Sequence, residues 1–376
     1  MKNLKHISVF ILTTLIFVSC KRDNSAKKAS LQIPTEYVSA NYEANVASEK
    51  SIRTQLGALT TYMKKGEKVD FKLDIDMLNN LLNGGTPSIS SITQPSFKTL
   101  ITNSLFPTLV VCSQNIYDPL LGADADNGGV FGGRLLDKRA KETLQVIDKG
   151  LYEAAAYNHL VHLTESNITQ ETIDKMICIY GAHPNFPNTN TVANTTTPDG
   201  LLALYAARRD KKDGTGYYTK IQQEFLKLQA AVKAGEAYNQ DRDKSVAEIK
   251  LLIEKSIMAT VIHYGFAAIT KLSSTSPSNT TISGGLHDLG ENVGFALGFK
   301  SVPQPQRKIT DTQIDEILNL LLAPADADAS MYKFVTNGET ELPKITLMQQ
   351  KIKAIYGFTD SEMNDFKNNW IAVNNR

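Results

Sequence analysis

Apolar residues recur at intervals of three and four along nearly the whole chain, and this periodicity constrains the fold more than any other feature. The spacing is clear in three stretches: Ile52, Leu56, Leu59 and Met63; Leu144, Ile147, Leu151 and Ala155; and Ile221, Phe225, Leu228 and Val232. It places apolar side chains on one face of an α-helix, and the long alternating patterns typical of strands are absent. The sequence therefore predicts an all-α protein of packed helical bundles.

Local signals divide this helical pattern into elements. Ser245–Glu248, Thr310–Gln313 and Thr359–Glu362 have the spacing of capping boxes, which predicts a helix start at each. Clusters of Gly, Pro, Asn, Ser and Thr predict loops at residues 83–95, 122–133, 184–199 and 273–285.

A faint internal similarity bears on domain organisation. Residues 147–164 align without gaps to residues 253–270, with matching ends at Ile147/Ile253 and Thr164/Thr270. A duplication would divide the helical domain, residues 42–376, into two related bundles near residues 184–215. The alternative is that two buried helices resemble each other by chance.

The N-terminus predicts an export signal. Lys2 and Lys5 precede an apolar run over residues 7–18 that is too short for an ordinary membrane-spanning helix. The run ends in Phe-Val-Ser-Cys at residues 17–20, which resembles a bacterial lipobox. This pattern predicts a lipoprotein signal peptide over residues 1–19 and lipidation of Cys20. A plain secretory signal with an incidental cysteine is the alternative.

The expected cellular location follows from Cys20. Polar residues 20–41 indicate a flexible tether, and more than one acyl chain gives stable anchoring to a membrane. No Asp follows Cys20, so the outer membrane is the expected location, with the body facing either the periplasm or the cell exterior. Cys112 and Cys178 would then form one disulfide or remain as two buried thiols.

The near-zero net charge limits the classes of partner that the protein is expected to bind. The chain carries 40 basic and 39 acidic residues, which argues against a nucleic-acid-binding protein. The expected partners are instead a membrane, through Cys20, and a metal or small-molecule ligand. Protein partners are not indicated.

The stretch GGLHDLGENVGFALGF, residues 284–299, holds the first candidate site. His287 and Glu291 share one helical face if a helix begins near Gly285, and imidazole with carboxylate suits iron or zinc. Glycines recur every fourth residue at 290, 294 and 298. Because glycine destabilises helices, their presence needs a reason, and close approach of another helix or of a ligand would be such a reason. In the purely structural alternative, Asp288 lies in the first turn and interacts favourably with the helix dipole, and Glu291 pairs with a lysine.

Other histidines provide weaker candidates. His159 and His162 stand three apart on one helix and could chelate a metal with a carboxylate from a neighbouring helix. His263 lies in the apolar segment 256–269 and is expected inside the body. The sequence contains no GxSxG, HExxH or GxxxxGK[ST] pattern, and it predicts no enzymatic activity and no catalytic residue.

Three stretches carry a family resemblance: residues 132–157, 176–187 and 287–299. With the lipobox and the helical body, they resemble imelysin-like proteins, and more closely an uncharacterised group of bacterial helical lipoproteins distantly similar to imelysins. The resemblance implies a two-bundle helical fold and a periplasm-facing lipoprotein linked to iron or haem acquisition. Members of the family were once described as peptidases.

The sequence departs from the family pattern. The imelysin motif is HxxE, whereas His287 and Glu291 are separated by three residues, and only these two residues are carried over. The helix before residue 177 has Thr172, Ile173 and Lys175 where the closer group would have His and Glu, so a second half-site is not indicated.

Three functions compete at this point. The first is a lipoprotein that binds iron, zinc or a metal-bearing ligand through His287 and Glu291, with His263, His159 or His162 as neighbours. The second is a non-catalytic scaffold or accessory lipoprotein, and the third, less favoured, is a metal-dependent peptidase. The metal site requires that His287 and Glu291 converge with a further histidine or carboxylate within about 5 Å.

Overall fold

A computed structural model describes residues 29–122, 127–190 and 196–376. The predicted signal peptide, residues 1–19, and Cys20 lie outside these described residues. The predicted all-α class is confirmed. The helices are α1 Tyr42–Asn45, α2 Ala47–Met63, α3 Ile75–Asn83, α4 Ile89–Ile92, α5 Pro95–Leu100, α6 Phe106–Cys112, α7 Thr143–Leu151, α8 Asn158–Leu163, α9 Gln170–Tyr180, α10 Leu201–Arg208, α11 Tyr217–Ala234, α12 Asn239–Leu272, α13 Asn279–Ser301, α14 Asp311–Leu320, α15 Lys333–Thr336, α16 Gly338–Tyr356, α17 Asp360–Asp365 and α18 Trp370–Val373. Wider π-helical turns at Ile101–Leu105 and Tyr152–Tyr157 join α5 to α6 and α7 to α8.

The long helices form the centre of the molecule. Helix α13 packs between α7 and α12, and α12 in turn packs against α11 and α16. The buried apolar side chains form one continuous cluster from Tyr37 to Ile371, with a small satellite of Tyr42, Val46 and Cys178. Among the described residues, no break in this core marks the predicted boundary near residues 184–215, and the division into two bundles stays a prediction.

Gly290, Gly294 and Gly298 of α13 lie against α7 and Glu142, the residue before it. A Cβ atom on Gly294 would stand 2.6 Å from the carbonyl oxygen of Gln145, and one on Gly298 would stand 2.7 Å from that of Gly150. On Gly290 the nearest atom would be the Cβ of Glu142, at 3.2 Å. The glycines therefore allow the close helix packing that is one of the two reasons proposed for their spacing.

Some of the helix starts predicted from the sequence agree with the structure, and others do not. The capping boxes at Thr310–Gln313 and Thr359–Glu362 are confirmed. The prediction at Ser245 is wrong, because α12 begins at Asn239 and Ser245 is buried inside it. The expected start of α13 near Gly285 is also wrong: Ser278 caps the helix by accepting a hydrogen bond from the Thr281 amide.

The predicted loop 122–133 contains regular structure that the sequence did not indicate. Strands β1 Gly128–Phe131 and β2 Arg134–Asp137 pair antiparallel, with Phe131 opposite Arg134. Gly132 and Gly133 form the turn, with φ of 54° and 83°. Two consecutive residues with positive φ are typical of the tight turns that match strand twist, and glycine adopts them without strain.

The end of the predicted tether contacts the helical body. Asp174 is fully buried on α9 and accepts hydrogen bonds from the Tyr37 hydroxyl at 2.5 Å, from Ser39 at 2.6 Å and from Asn45 at 2.7 Å. Residues 37–41 therefore belong structurally to the body rather than to a flexible tether.

Within the described ranges, none of the helices combines the length and the hydropathy needed to cross a membrane. Cys112 and Cys178 are both buried free thiols, so the alternative of a disulfide between them is not realised.

Candidate functional site

His287 and Glu291 lie on the face of α13 that meets α7 and α10. The Nδ1 atom of His287 is 2.7 Å from an oxygen of Glu142, which immediately precedes α7. The Nε2 atom is 3.4 Å from Glu291. A further carboxylate thus converges on the pair, as the metal hypothesis requires. Sequence reasoning did not identify it.

Buried charges extend the cluster along α7. The ammonium of Lys149 lies 3.6 Å from Glu291 and 2.6 Å from Asp148, and Arg134 lies 3.9 Å from Glu142. The Lys149 ammonium also faces the rings of Tyr152 and Tyr205 at 5.1 and 5.5 Å, a distance at which cations and aromatic rings attract each other. Arg134 is partly exposed and also lies 3.5 Å from Glu67, so the cations His287, Lys149 and Arg134 face four carboxylates, those of Glu67, Glu142, Asp148 and Glu291.

Hydroxyl groups complete the surroundings of Glu291. Tyr205 on α10 donates to a Glu291 oxygen at 3.5 Å, and Tyr264 on α12 also contacts this carboxylate. Arg208 lies over the Tyr205 ring at 4.9 Å and donates to the Tyr264 hydroxyl at 3.4 Å. Four helices, α7, α10, α12 and α13, thus contribute to one polar cluster inside an apolar core.

These contacts fix the protonation states. Burial alone would lower the pKa of His287, but hydrogen bonds to Glu142 and Glu291 raise it to about 9. Burial would raise the pKa of Glu291, but Lys149 and His287 lower it to about 2. At neutral pH His287 is therefore a cation with a proton on each ring nitrogen, and Glu291 is an anion.

Asp288 has a different role from the one the sequence suggested. It lies three turns into α13 rather than in the first turn, and its carboxylate accepts from Lys271 on α12 at 2.6 Å. Burial raises the pKa of Asp288 to about 6 against the effect of Lys271. It therefore links α12 to α13 instead of interacting with a helix terminus.

The other candidate histidines do not join the site. His159 contacts Glu49 at 2.9 Å, and His162 contacts Glu165 at 2.8 Å on the exposed surface. His263 is largely buried, as expected, and its Nδ1 donates to the Phe366 carbonyl at 2.8 Å. Burial, with Arg209 nearby, lowers the pKa of His263 to about 3.

The residues present do not fit a resident iron or zinc ion in this arrangement. Metal binding needs a deprotonated imidazole nitrogen, whereas both nitrogens of His287 face carboxylates and its pKa is raised. Lys149 and Arg134 already supply positive charge to Glu291 and Glu142. In the described ranges no group of three or more His, Cys, Asp and Glu side chains has an arrangement that could hold a metal ion.

One buried carboxylate next to this network has no partner. Glu153 lies in the π-helical turn after α7 and is fully buried, and neither of its carboxylate oxygens has a hydrogen-bond partner among the described residues. Burial raises the pKa of Glu153 well above the usual range, which favours the protonated, neutral form of this side chain.

A usable signal for the missed residues was present in the sequence. Glu142, Asp148, Lys149 and Glu153 are charged residues in or beside an otherwise apolar helical segment. Charged side chains are seldom buried unless they are paired, so such positions indicate a buried partner.

Comparisons with protein-family models, with curated proteins and with solved structures find no match. The resemblance to imelysin-like proteins therefore rests on the sequence motifs alone and stays a prediction.

Proposed function

We propose that the protein is a lipid-anchored lipoprotein of the outer membrane whose helical body acts as a non-catalytic accessory module. The observation that carries this proposal is the internal pairing of the cations in the candidate site. His287, Lys149 and Arg134 are each satisfied by a carboxylate of the same chain, so the network has no requirement for an added ion.

The position of the network supports a structural role. It joins α7, α10, α12 and α13 where the glycines of α13 bring two helices into close contact. Breaking a buried ion pair by removing one partner typically costs about 3–5 kcal/mol, because the other charge is left buried without compensation. A network of this kind fixes the relative positions of the helices and leaves their outer surfaces for partners.

A metal titration tests the proposal against the iron or zinc function. The chain from residue 21 onward is freed of metal with a chelator and titrated with Fe²⁺ and with Zn²⁺ by calorimetry. The double variant His287→Ala/Glu291→Ala is compared with the wild type. His162→Ala serves as the control, because His162 is exposed and contacts only Glu165 among the described residues.

We expect the three proteins to bind these ions equally weakly. Stoichiometric binding by the wild type and by His162→Ala, lost in the double variant, would overturn the proposal and restore a metal site at His287. Circular dichroism of the double variant is required alongside, to show that the protein is folded.

The anchor has its own test. Cys20→Ser is expected to release the protein from the membrane fraction of the producing cell and to abolish incorporation of labelled fatty acid. Membrane retention of Cys20→Ser would contradict lipidation at this residue without affecting the argument about the charge network.

A further inference from the structure

A cavity of about 480 Å³ has a lining that includes none of the residues of the charge network. Its walls come from the α5–α6 region, from α13, from residues 137–141 after β2, and from residues 323–329 after α14. Its volume lies within the range of about 300–1,000 Å³ typical of small-molecule sites. The cavity is therefore large enough for a small organic ligand.

One part of the lining is apolar. Leu100 and Leu297 are half-buried and Pro107 is exposed, so these three residues carry the accessible apolar surface of the cavity, beside the almost completely buried Leu105 and Val293. A hydrocarbon group that displaced water from Leu100, Pro107 and Leu297 would gain the free energy of apolar burial.

Another part of the lining is cationic. Lys138, Arg139 and Lys141 reach the cavity from one short segment. The carboxylate of Asp137 accepts from the backbone amides of Arg139 and Lys141, both at 2.9 Å, and is therefore already engaged in holding this segment. Lys138 forms no ion pair with any residue that the structure describes.

Arg139 has an exposed counter-ion. One terminal nitrogen of its guanidinium pairs at 2.6 Å with Asp328, whose side chain is 80% exposed. Exposed ion pairs contribute only about 0–1 kcal/mol, so an anionic ligand can replace Asp328 at this nitrogen.

We propose that this cavity binds a small amphiphilic anion, whose carboxylate or phosphate head pairs with Arg139 and Lys138 and whose hydrocarbon part covers Leu100, Pro107 and Leu297. The head group replaces Asp328 as the counter-ion of Arg139.

Binding of octanoate to the folded chain tests this inference. Octanol provides the same hydrocarbon without the charge, and acetate provides the charge without the hydrocarbon. We expect saturable binding of octanoate by calorimetry and at least about tenfold weaker binding of the other two, because each lacks one of the two contacts.

Variants assign the binding to the cavity. Arg139→Gln is expected to weaken octanoate binding about tenfold or more, whereas Arg242→Gln, a change at an arginine elsewhere on the surface, should leave it unchanged. Ser104→Trp places a large ring in the cavity from an exposed position and should abolish binding. Asp328→Asn removes the competing carboxylate and should tighten binding, an effect that a purely structural Arg139–Asp328 pair would not produce.

Competition distinguishes two sources of such an anion. Displacement of octanoate by phosphatidylglycerol vesicles would identify the ligand as a membrane lipid, and absence of displacement would identify it as a free acid; both results support an amphiphilic anion. Failure of octanoate to bind, equal binding of octanol or acetate, or binding that is unaffected by Ser104→Trp and Arg139→Gln would overturn the inference.

Discussion

Replacing Gly294 with alanine is expected to lower the free energy of unfolding by about 2 kcal/mol, although alanine is the better helix former. The added Cβ atom would lie 2.6 Å from the carbonyl oxygen of Gln145, 2.9 Å from the Cβ of Lys149 and 3.2 Å from the Cα of Val146. Two of these three atoms are backbone atoms of α7, so a side-chain rotation cannot relieve the overlap.

The magnitude follows from the movement that the overlap requires. Relief of a 2.6 Å contact needs α13 and α7 to separate by several tenths of an ångström, and a gap of about 0.5–1 Å already loses a quarter to a half of each dispersion contact. Overpacking of this kind typically costs about 1–3 kcal/mol, occasionally more. The gain in helix propensity, roughly 1 kcal/mol, offsets only part of a cost at the upper end of that range.

Urea unfolding followed by circular dichroism measures the change. The matched control is Gly57→Ala on α2, where an added Cβ would have no neighbour within 4 Å. This control should stabilise the protein by about 0.5–1 kcal/mol, because only the helix propensity changes. The two identical substitutions should therefore have opposite signs. A Gly294→Ala variant as stable as Gly57→Ala would refute the argument that the glycines are needed for helix contact.

Three further predictions concern buried polar groups. The pKa of His287 is raised from 6.5 to about 9, so the contribution of the protonated His287 to stability is complete below about pH 6.5 and is lost as the pH rises through 9. In urea unfolding, His287→Gln should therefore destabilise the protein most at low pH, and its difference from the wild type should shrink toward pH 10. Folded Glu153 keeps a proton that the unfolded chain releases above a pKa near 4.5, so the free energy of unfolding of the wild type should fall as the pH rises past that value. Glu153→Gln should make this pH dependence weaker. An unchanged dependence of the free energy of unfolding on pH would contradict the neutral state of Glu153. Asp174→Ala removes the acceptor of the Tyr37 hydroxyl, and mass spectrometry should detect faster chymotryptic cleavage after Tyr37, whereas an unchanged rate would show that other contacts hold this segment.

The helical class was predictable because it depends on a repeated local pattern. Capping boxes at Thr310 and Thr359 were correctly identified, since a side chain and an amide three residues apart suffice to form them. The box at Ser245 failed because the same residues can lie inside a longer helix, and only tertiary packing decides between these states. The hairpin at Gly132–Gly133 was missed because its strands are too short to show alternation.

The site was predictable only within one helix. The spacing of His287 and Glu291 places both on one face of α13, and this face is the one that meets the buried charges. Lys149 lies on α7 and Glu142 immediately precedes it, both more than a hundred residues away in sequence, and no pattern within α13 identifies them. Their positive and negative charges decide whether the histidine is free to bind a metal, so the sequence alone could not separate a ligand site from an ion-pair network.

The fixed position of Tyr37 on Asp174 has a consequence for how far the body can stand from a bilayer. If Cys20 carries the lipid, the chain between Cys20 and Tyr37 reaches at most about 60 Å when fully extended. That distance is the upper limit on the separation between Tyr37 and the membrane, and it limits how far from the membrane a partner of the body can lie. Insertion of extra residues between positions 20 and 29 would raise this upper limit and leave the contacts of Ala29 and Tyr37 with the body in place.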